Sequence, residues 1–234
     1  MTGLILLQTE PAAPIAAGSS PAPTSLTVID MAAQGGWIMI ILVLMFILAA
    51  YIFIERYITI NRAKREDKRF MKEIRESMRN GRLDAALTLC RNTNSPVSRM
   101  VEKGLIRFGR PLSDINVAIE NVGNLEIARM EKNIASLATI AGAAPMIGFL
   151  GSVIGMVLAF YNLSISGNNV DITNLSVGIY QALSTTIGGL IVGIFAYLFY
   201  NILVARVEKL VYVLELRASE FMDLLYEPPL GKSS

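Results

Sequence analysis

The sequence predicts an all-α integral membrane protein with three transmembrane helices, two of which are long and extend into a cytoplasmic helical domain. Three apolar stretches predict the spans: span 1 over residues 35–57, span 2 over 136–163 and span 3 over 174–205. Each exceeds the ~20 residues that a helix needs to cross a bilayer core. Only 17% of the 234 residues are charged, fewer than a soluble domain normally carries.

The basic residues predict the orientation of these spans. No Lys or Arg precedes span 1 or occurs in the loop 164–173, whereas Arg206 follows span 3. The basic residues around and beyond the inner end of span 1 are Arg56, Arg62, Lys64, Arg65, Lys68 and Arg69. Because Lys and Arg collect on the cytoplasmic side, we expect the N-terminus and the loop 164–173 outside and the C-terminus in the cytoplasm.

Residues 1–34 are predicted to form an external N-terminal tail. The apolar patch Leu4–Leu7 is short and no basic residue precedes it, unlike a secretory signal peptide. The following Pro-, Ala- and Ser-rich segment has too few large apolar residues to build a core. A short helix on the membrane surface is predicted over Thr24–Ala33.

Residues 58–135 form the predicted cytoplasmic helical domain, which turn signals divide. Asn80-Gly81 is a helix stop, Ser95 before Pro96 predicts an N-cap and first helical residue, and Gly109-Arg110-Pro111 interrupts the next helix.

Two helices are predicted to extend well beyond the membrane. Ser113 is predicted to cap a helix that runs unbroken to about Leu163, a length of roughly 75 Å at 1.5 Å per residue. Residues 206–234 are predicted to continue span 3 as a C-terminal helix to Tyr226, followed by a tail that begins at Pro228-Pro229.

The residue inventory excludes several kinds of active site. Histidine is absent and Cys90 is the only cysteine, so a tetrahedral zinc site, a Ser-His-Asp triad and a Cys-His nucleophile cannot form. Cys90 is predicted to be a small buried apolar side chain. We therefore predict no enzyme, no cofactor and no metal, and the net charge of +2 gives no indication of a nucleic-acid partner.

Spans 2 and 3 are rich in small residues, which let helices approach closely in membranes. The predicted packing residues are Gly148, Gly151, Gly155, Gly188, Gly189, Gly193 and Pro145. Pro145 is also a position where span 2 can kink. A charged group at the base of span 2, formed by Glu126, Arg129, Glu131 and Lys132, is interpreted as a solvated or inter-subunit salt-bridge face.

Polar residues of span 3 predict either interhelical hydrogen bonds or a water-lined ion pathway. Gln181, Ser184, Thr185 and Gly188 are spaced three and four apart on one stripe, and Thr186 faces another direction. No span contains Asp, Glu, Lys, Arg or His in its interior, although a proton-coupled machine needs a titratable group. If the chain moves ions, it must oligomerise and use a carboxylate from another subunit.

Two motifs resemble the signatures of the MotA/TolQ/ExbB proton-channel family, with ExbB as the closest likeness. Residues 131–156 read EKNIASLATIAGAAPMIGFLGSVIGM, and residues 178–190 read GIYQALSTTIGGL. The resemblance implies a homopentamer in the bacterial inner membrane around a dimer of a single-span ExbD-like partner, whose transmembrane Asp carries protons. It places Ser152 and Thr186 on the ion pathway, and Gln181 stands where ExbB-like proteins often have Glu.

The resemblance leaves the particular motor open. An ExbB-like subunit would work with a TonB-like protein in outer-membrane transport, and a TolQ-like or gliding motor subunit is the alternative. The ion is a proton or sodium, because Ser184, Thr185 and Thr186 could serve either. A hypothesis of another class is a non-conducting membrane scaffold, which predicts that Ser152→Ala and Thr186→Ala leave function intact.

Overall fold

The computed structural model describes residues 36–63, 69–165 and 172–226, and these residues form seven helices. The helices are α1 (Gly36–Ala63), α2 (Phe70–Arg79), α3 (Leu83–Asn92), α4 (Pro96–Ile106), α5 (Leu112–Glu131), α6 (Ile134–Ile165) and α7 (Ile172–Tyr226). The predicted all-α class is confirmed. The predicted tail 1–34 with its helix at Thr24–Ala33, residues 166–171 of the predicted loop, and Pro228-Pro229 lie outside the described residues.

The three predicted spans correspond to α1, α6 and the first half of α7. Within the described residues, three helical stretches are long and apolar enough to cross a membrane, which confirms the number of spans. Helix α7 is 55 residues long and runs without interruption from its apolar half to Tyr226. Its second half packs against α4 and α5, where Gly104 leaves room for the ring of Phe221.

Local signals set the boundaries of the extramembrane helices α2–α5. Gly81 and Gly109 adopt φ values of +67° and +88° at the ends of α2 and α4, a conformation that glycine tolerates without steric cost. Ser95 accepts a hydrogen bond from the backbone N–H of Ser98 at 3.0 Å and caps α4, with Pro96 as the first helical residue. Cys90 is buried, as predicted.

The prediction of one unbroken helix from Ser113 to Leu163 is wrong. Helix α5 ends at Glu131, Lys132 is extended, and Asn133 has a φ of +64° before α6 begins. Asparagine enters this left-handed region more readily than most residues. Ser113 is not the cap either, because α5 already begins at Leu112, and Pro111 in the cap position makes no side-chain bond.

The expected solvated or inter-subunit face at the base of span 2 is wrong for Glu126. Its side chain is 2% exposed and accepts bonds from Arg99 at 2.5 Å and from Arg129 at 2.6 Å, all within one chain. A carboxylate buried at this depth is costly without partners, and the two guanidinium groups supply them. The pair with Arg99 joins α4 to α5, and the pair with Arg129 lies within α5.

Helices α6 and α7 pack antiparallel along a seam of small residues. A Cβ atom added to Gly148 would lie 2.8 Å from the Thr185 carbonyl oxygen, and one on Gly155 would lie 3.1 Å from the Ala182 Cβ. In the first half of α6, the Pro145 ring occupies the space that a side chain on Gly193 would need, with Cγ at 2.6 Å. The two backbones are therefore in direct contact along the seam.

Helices α1 and α7 run parallel and are joined by a ladder of aromatic rings. Phe46 packs edge-on against Phe195 with centroids 5.9 Å apart, and Phe53 stacks on Phe199 at 4.3 Å. The ladder ends at Tyr57, whose ring lies 5.6 Å from that of Phe53. Arg206 lies 3.9 Å over the Tyr57 ring and donates to the Tyr57 hydroxyl at 2.9 Å.

Candidate functional site

Two hydroxyl groups meet inside the seam between α6 and α7. The Oγ of Ser152 and the Oγ1 of Thr186 are hydrogen-bonded to each other. Ser152 Oγ also contacts the Ala182 carbonyl, and Thr186 Oγ1 lies 3.4 Å from the Gly148 carbonyl. The pair thus links a carbonyl of one helix to a carbonyl of the other through two hydroxyls.

The pair can hold its protons in two arrangements, because each hydroxyl has one hydrogen to donate. In the first, Thr186 donates to Ser152, and Ser152 donates to the Ala182 carbonyl. In the second, Ser152 donates to Thr186, and Thr186 donates to the Gly148 carbonyl. Rotation of the two hydroxyls interconverts the two arrangements. The hydrogen bonds of the pair can therefore reverse direction while neither hydroxyl carries a charge.

The glycines of the seam set the separation at which these hydroxyls meet. A Cβ atom on Gly151, next to Ser152, would lie 2.7 Å from Thr185 Oγ1. Thr185 is buried and its hydroxyl donates to the Ala182 carbonyl at 2.9 Å. Thr185 therefore packs against Gly151, and the neighbouring Ser152 and Thr186 face each other beside this contact.

Ser152 also borders an open groove on the outer side of α6. The groove has a volume of about 680 Å³ and its other lining residues are almost all apolar. They are Phe149, Val153, Met156, Val157, Phe160, Tyr161 and Ser164. The hydroxyl pair thus lies beside a groove that the rest of the described chain leaves open.

The predicted single stripe of Gln181, Ser184, Thr185 and Gly188 is wrong for Thr185, although Gln181 and Gly188 share the face toward α1. Gly188 lies against Met39 of α1, and the Gln181 amide lies against Gly36, whereas Thr185 faces α6. Ser184 is 1% exposed, and its Oγ has no hydrogen-bond partner among the described residues. Only Thr185 and Thr186 of the predicted polar residues of span 3 lie against α6.

Neither the role of the Ala182 carbonyl nor the contact of Gly178 with Ala159 was predicted from the sequence. A Cβ atom on Gly178 would lie 2.6 Å from the Ala159 Cβ, which extends the seam beyond Gly155. The spacing of four residues between Gly178 and Ala182 could have revealed this extension. The Ala182 carbonyl could not have been found, because every residue has a carbonyl group.

Comparison with known proteins identifies the family. Residues 92–216 match the MotA/TolQ/ExbB proton channel family. The chain belongs to this family. As a member of the MotA/TolQ/ExbB family it is a multi-pass membrane protein, and the match covers α4, α5, α6 and most of α7, including Ser152 and Thr186.

The sequences of individual relatives align with between about half and most of this chain. It is 30% identical to a putative biopolymer transport protein ExbB homolog of Methanothermobacter thermautotrophicus, over 81% of this chain and 67% of the relative. It is 28% identical to the putative biopolymer transport protein ExbB-like 1 of Synechocystis, over 89% and 86%. The Tol-Pal system protein TolQ of Haemophilus influenzae is 34% identical over 47% and 48%.

Proposed function

We propose that this chain is the pore-forming subunit of an inner-membrane motor driven by the proton-motive force. The observation that carries the proposal is the pair of Ser152 and Thr186, which joins two spans through reversible hydrogen bonds. Membership of a proton channel family supports the same role. Ser152 and Thr186 form the central step of the pathway, and Thr185, Gln181 and Ser184 are further candidates along span 3.

The motor requires partners, because a relay of hydroxyls does not by itself take up and release a proton. The interiors of the three spans contain no titratable carboxylate, amine or imidazole. We propose that copies of this chain form a pentamer and enclose the open groove beside Ser152. A single-span ExbD-like partner then supplies an intramembrane Asp, whose protonation drives its movement within the ring.

An ExbB-like role in TonB-dependent outer-membrane transport is the favoured assignment. Two relatives named as an ExbB homolog and as ExbB-like align with 81% and 89% of this chain, whereas the relative named TolQ aligns with 47%. The N-terminus and the link between α6 and α7 then face the periplasm, and α2–α5 lie in the cytoplasm. Purification in mild detergent followed by mass spectrometry identifies the co-purifying single-span protein, whose external domain distinguishes a TonB-type from a Tol-type system.

The ion pathway is tested by flux through the reconstituted complex. The complex of this chain with its partner is placed in lipid vesicles, and proton entry is followed with a pH-sensitive dye under an imposed gradient. We expect Ser152→Ala and Thr186→Ala to reduce flux about tenfold or more, since each removes the hydrogen bond between the two hydroxyls on which the relay depends. Ser176→Ala is the matched control, because this exposed hydroxyl bonds only within its own helix, to the Ile172 carbonyl at 2.9 Å.

The outcomes separate the competing functions. Flux that is unchanged in both Ser152→Ala and Thr186→Ala, with the complex assembled, contradicts the pathway and favours a non-conducting scaffold. Flux that follows a sodium gradient at constant pH identifies sodium as the coupling ion. A pure homo-oligomer with no single-span partner contradicts the motor, because the titrating group is then missing.

A further inference from the structure

The break between α5 and α6 lacks the residues that usually interrupt helices. Lys132 and Asn133 separate the two helices, and neither is Gly or Pro, the residues that most often end a helix. The pattern of burial also continues across the break: Met130, Ile134 and Leu137 are all buried at spacings of four and three residues. This spacing is that of one uninterrupted helix, so burial alone does not require the break.

One backbone carbonyl has different partners in the broken and continuous forms. In an uninterrupted helix, the Arg129 carbonyl would accept a hydrogen bond from the N–H of Asn133, four residues later. In the structure, it accepts instead from Nη1 of Arg56 at 3.0 Å. A cation at the C-terminal end of a helix is also favoured by the helix dipole. Arg56 therefore takes the place of the missing helical donor.

Arg56 is held in this position by its own surroundings. It is 8% exposed, and its Nε pairs with Glu55 at 2.8 Å. The Arg129 side chain pairs with buried Glu126 within α5. Thus the end of α1 contacts the backbone carbonyl of Arg129, while the Arg129 side chain neutralises part of the Glu126 charge that Arg99 of α4 also contacts.

We propose that residues 132–133 form a two-state joint, with a broken state latched by Arg56 and a continuous state in which α5 and α6 are one helix. Release of Arg56 frees the Arg129 carbonyl, and Asn133 leaves the left-handed conformation as its N–H takes over that carbonyl. Because α1 carries Arg56 and α6 carries Ser152, a shift of span 1 against span 2 changes the direction of the extramembrane helices. This inference goes beyond the ion pathway and does not depend on it.

Asn133 allows the joint to be tested without disturbing a core, because it is exposed. Asn133→Ala disfavours the left-handed conformation and raises helix propensity, so it favours the continuous state. Asn133→Gly is the matched control that favours the broken state. Arg56→Gln weakens the latch through the loss of its charge, and Arg56→Lys retains a cation at the same place.

The measurement is a distance between spin labels on either side of the joint in the full-length protein. Asn121 and Ala135 are both exposed and are replaced by Cys in a Cys90→Ala background, with labelled chains diluted among unlabelled ones. In a continuous helix, the 14-residue separation corresponds to about 21 Å along the axis. We expect Asn133→Ala and Arg56→Gln each to move population to that distance, and the double variant to move the most.

Controls keep each outcome interpretable. Asn133→Gly and Arg56→Lys should retain the distribution of the parent protein. Folding of each unlabelled variant is checked by the buried thiol of Cys90, which stays inaccessible to maleimide reagents while the extramembrane helices are intact. An unchanged distribution in Asn133→Ala overturns the proposal even if Arg56→Gln fails to fold, and so does an equal shift in Asn133→Gly.

Discussion

The two faces of α7 are packed by opposite means. On the face toward α6, glycines bring the backbones together, so that an added Cβ on Gly189 would lie 2.6 Å from the Ala144 carbonyl oxygen. On the face toward α1, rings fill the space, as with Phe53 stacked on Phe199 at 4.3 Å. The α6–α7 seam fixes the positions of the two backbones, whereas the α1–α7 seam is filled by side chains that can change rotamer.

This difference gives the two seams different roles: the α6–α7 seam positions the hydroxyl groups, and the α1–α7 seam anchors α1 to α7. Hydroxyls on short side chains, such as Ser152 and Thr186, reach each other only if their helices approach closely, and glycine permits that approach. The aromatic ladder, by contrast, carries no polar group until Tyr57 and Arg206 at its end. The α6–α7 seam is therefore where small changes should affect ion flux, and the α1–α7 seam is where they should affect stability.

Gly148→Ala should have the largest effect, because its Cβ would meet backbone atoms that cannot move aside. The Thr185 carbonyl oxygen would lie at 2.8 Å and the Gly189 Cα at 2.9 Å. We expect a loss of about 1–3 kcal/mol in stability, typical of overpacking, and loss of flux in the vesicle assay. Thermal unfolding in detergent and flux measure the two effects.

Gly142→Ala is the matched control for this substitution, since no heavy atom outside its own helix lies within 4 Å of a Cβ at Gly142 in the described residues. It should be neutral or slightly stabilising, through the higher helix propensity of alanine. Equal losses in the two variants would show that the seam is no tighter than the rest of α6.

Phe53→Ala should lower stability but leave flux per assembled complex unchanged. The substitution removes the stacked ring on Phe199, and aromatic pairs contribute about 0.5–1.5 kcal/mol beyond the area they bury. A double-mutant cycle with Phe199→Ala isolates this coupling. A large loss of flux in complexes that remain assembled would contradict the division between anchoring and positioning.

Arg206→Gln should have a smaller effect at the end of the same ladder. It removes the cation over Tyr57 and the bond to the Tyr57 hydroxyl, and cation–π pairs at accessible sites contribute about 0.5–1 kcal/mol. Arg206→Lys should retain part of this energy. If unfolding temperatures are the same for the Gln, Lys and parent proteins, the contact does not anchor α1.

The pH dependence of Cys90 has no effect near neutral pH, and at alkaline pH it reports on the extramembrane helices. Burial, with a further contribution from Glu102, raises the pKa of Cys90 from 9.0 to about 12. Because the folded state holds the thiol proton more tightly, its contribution to stability is complete below pH 9.0 and is lost as the pH rises to about 12. Unfolding measured across this window should show a steeper alkaline decline than in Cys90→Ala.

The Cys90 thiol also tests whether a substitution in the α1–α7 seam unfolds the extramembrane helices. Maleimide labelling of Cys90 at pH 8 should stay slow in Phe53→Ala, where the extramembrane helices remain folded. Rapid labelling in that variant would show that the aromatic ladder supports α3 as well as α1, which would remove the contrast between the two seams.

Features that depend on neighbours in the sequence could be predicted from it. The spans follow from long apolar stretches, and the cap at Ser95 follows from the order of Ser and Pro. The glycines and hydroxyls of spans 2 and 3 were also visible, but the pairing of Ser152 with Thr186 joins residues 34 positions apart. The prediction that both lie on one ion pathway came from resemblance to a family rather than from spacing.

Features that depend on distant contacts could not be predicted. The break at Asn133 is stabilised by Arg56, whose partner Arg129 lies 73 positions away along the chain. The sequence around Asn133 has the periodicity of a continuous helix, so the local signal indicated the wrong outcome. The burial of Glu126 was missed for a similar reason, because Arg99 reaches it from another helix.

The uninterrupted course of α7 has a mechanical consequence. A helix of 55 residues is about 80 Å long at 1.5 Å per residue. Such a rod behaves as a lever arm: a tilt of about 5° about one end displaces the other by about 7 Å over this length. From Thr186 to Tyr226 the arm is about 60 Å, so a tilt of about 5° at Thr186 would displace Tyr226 by about 5 Å.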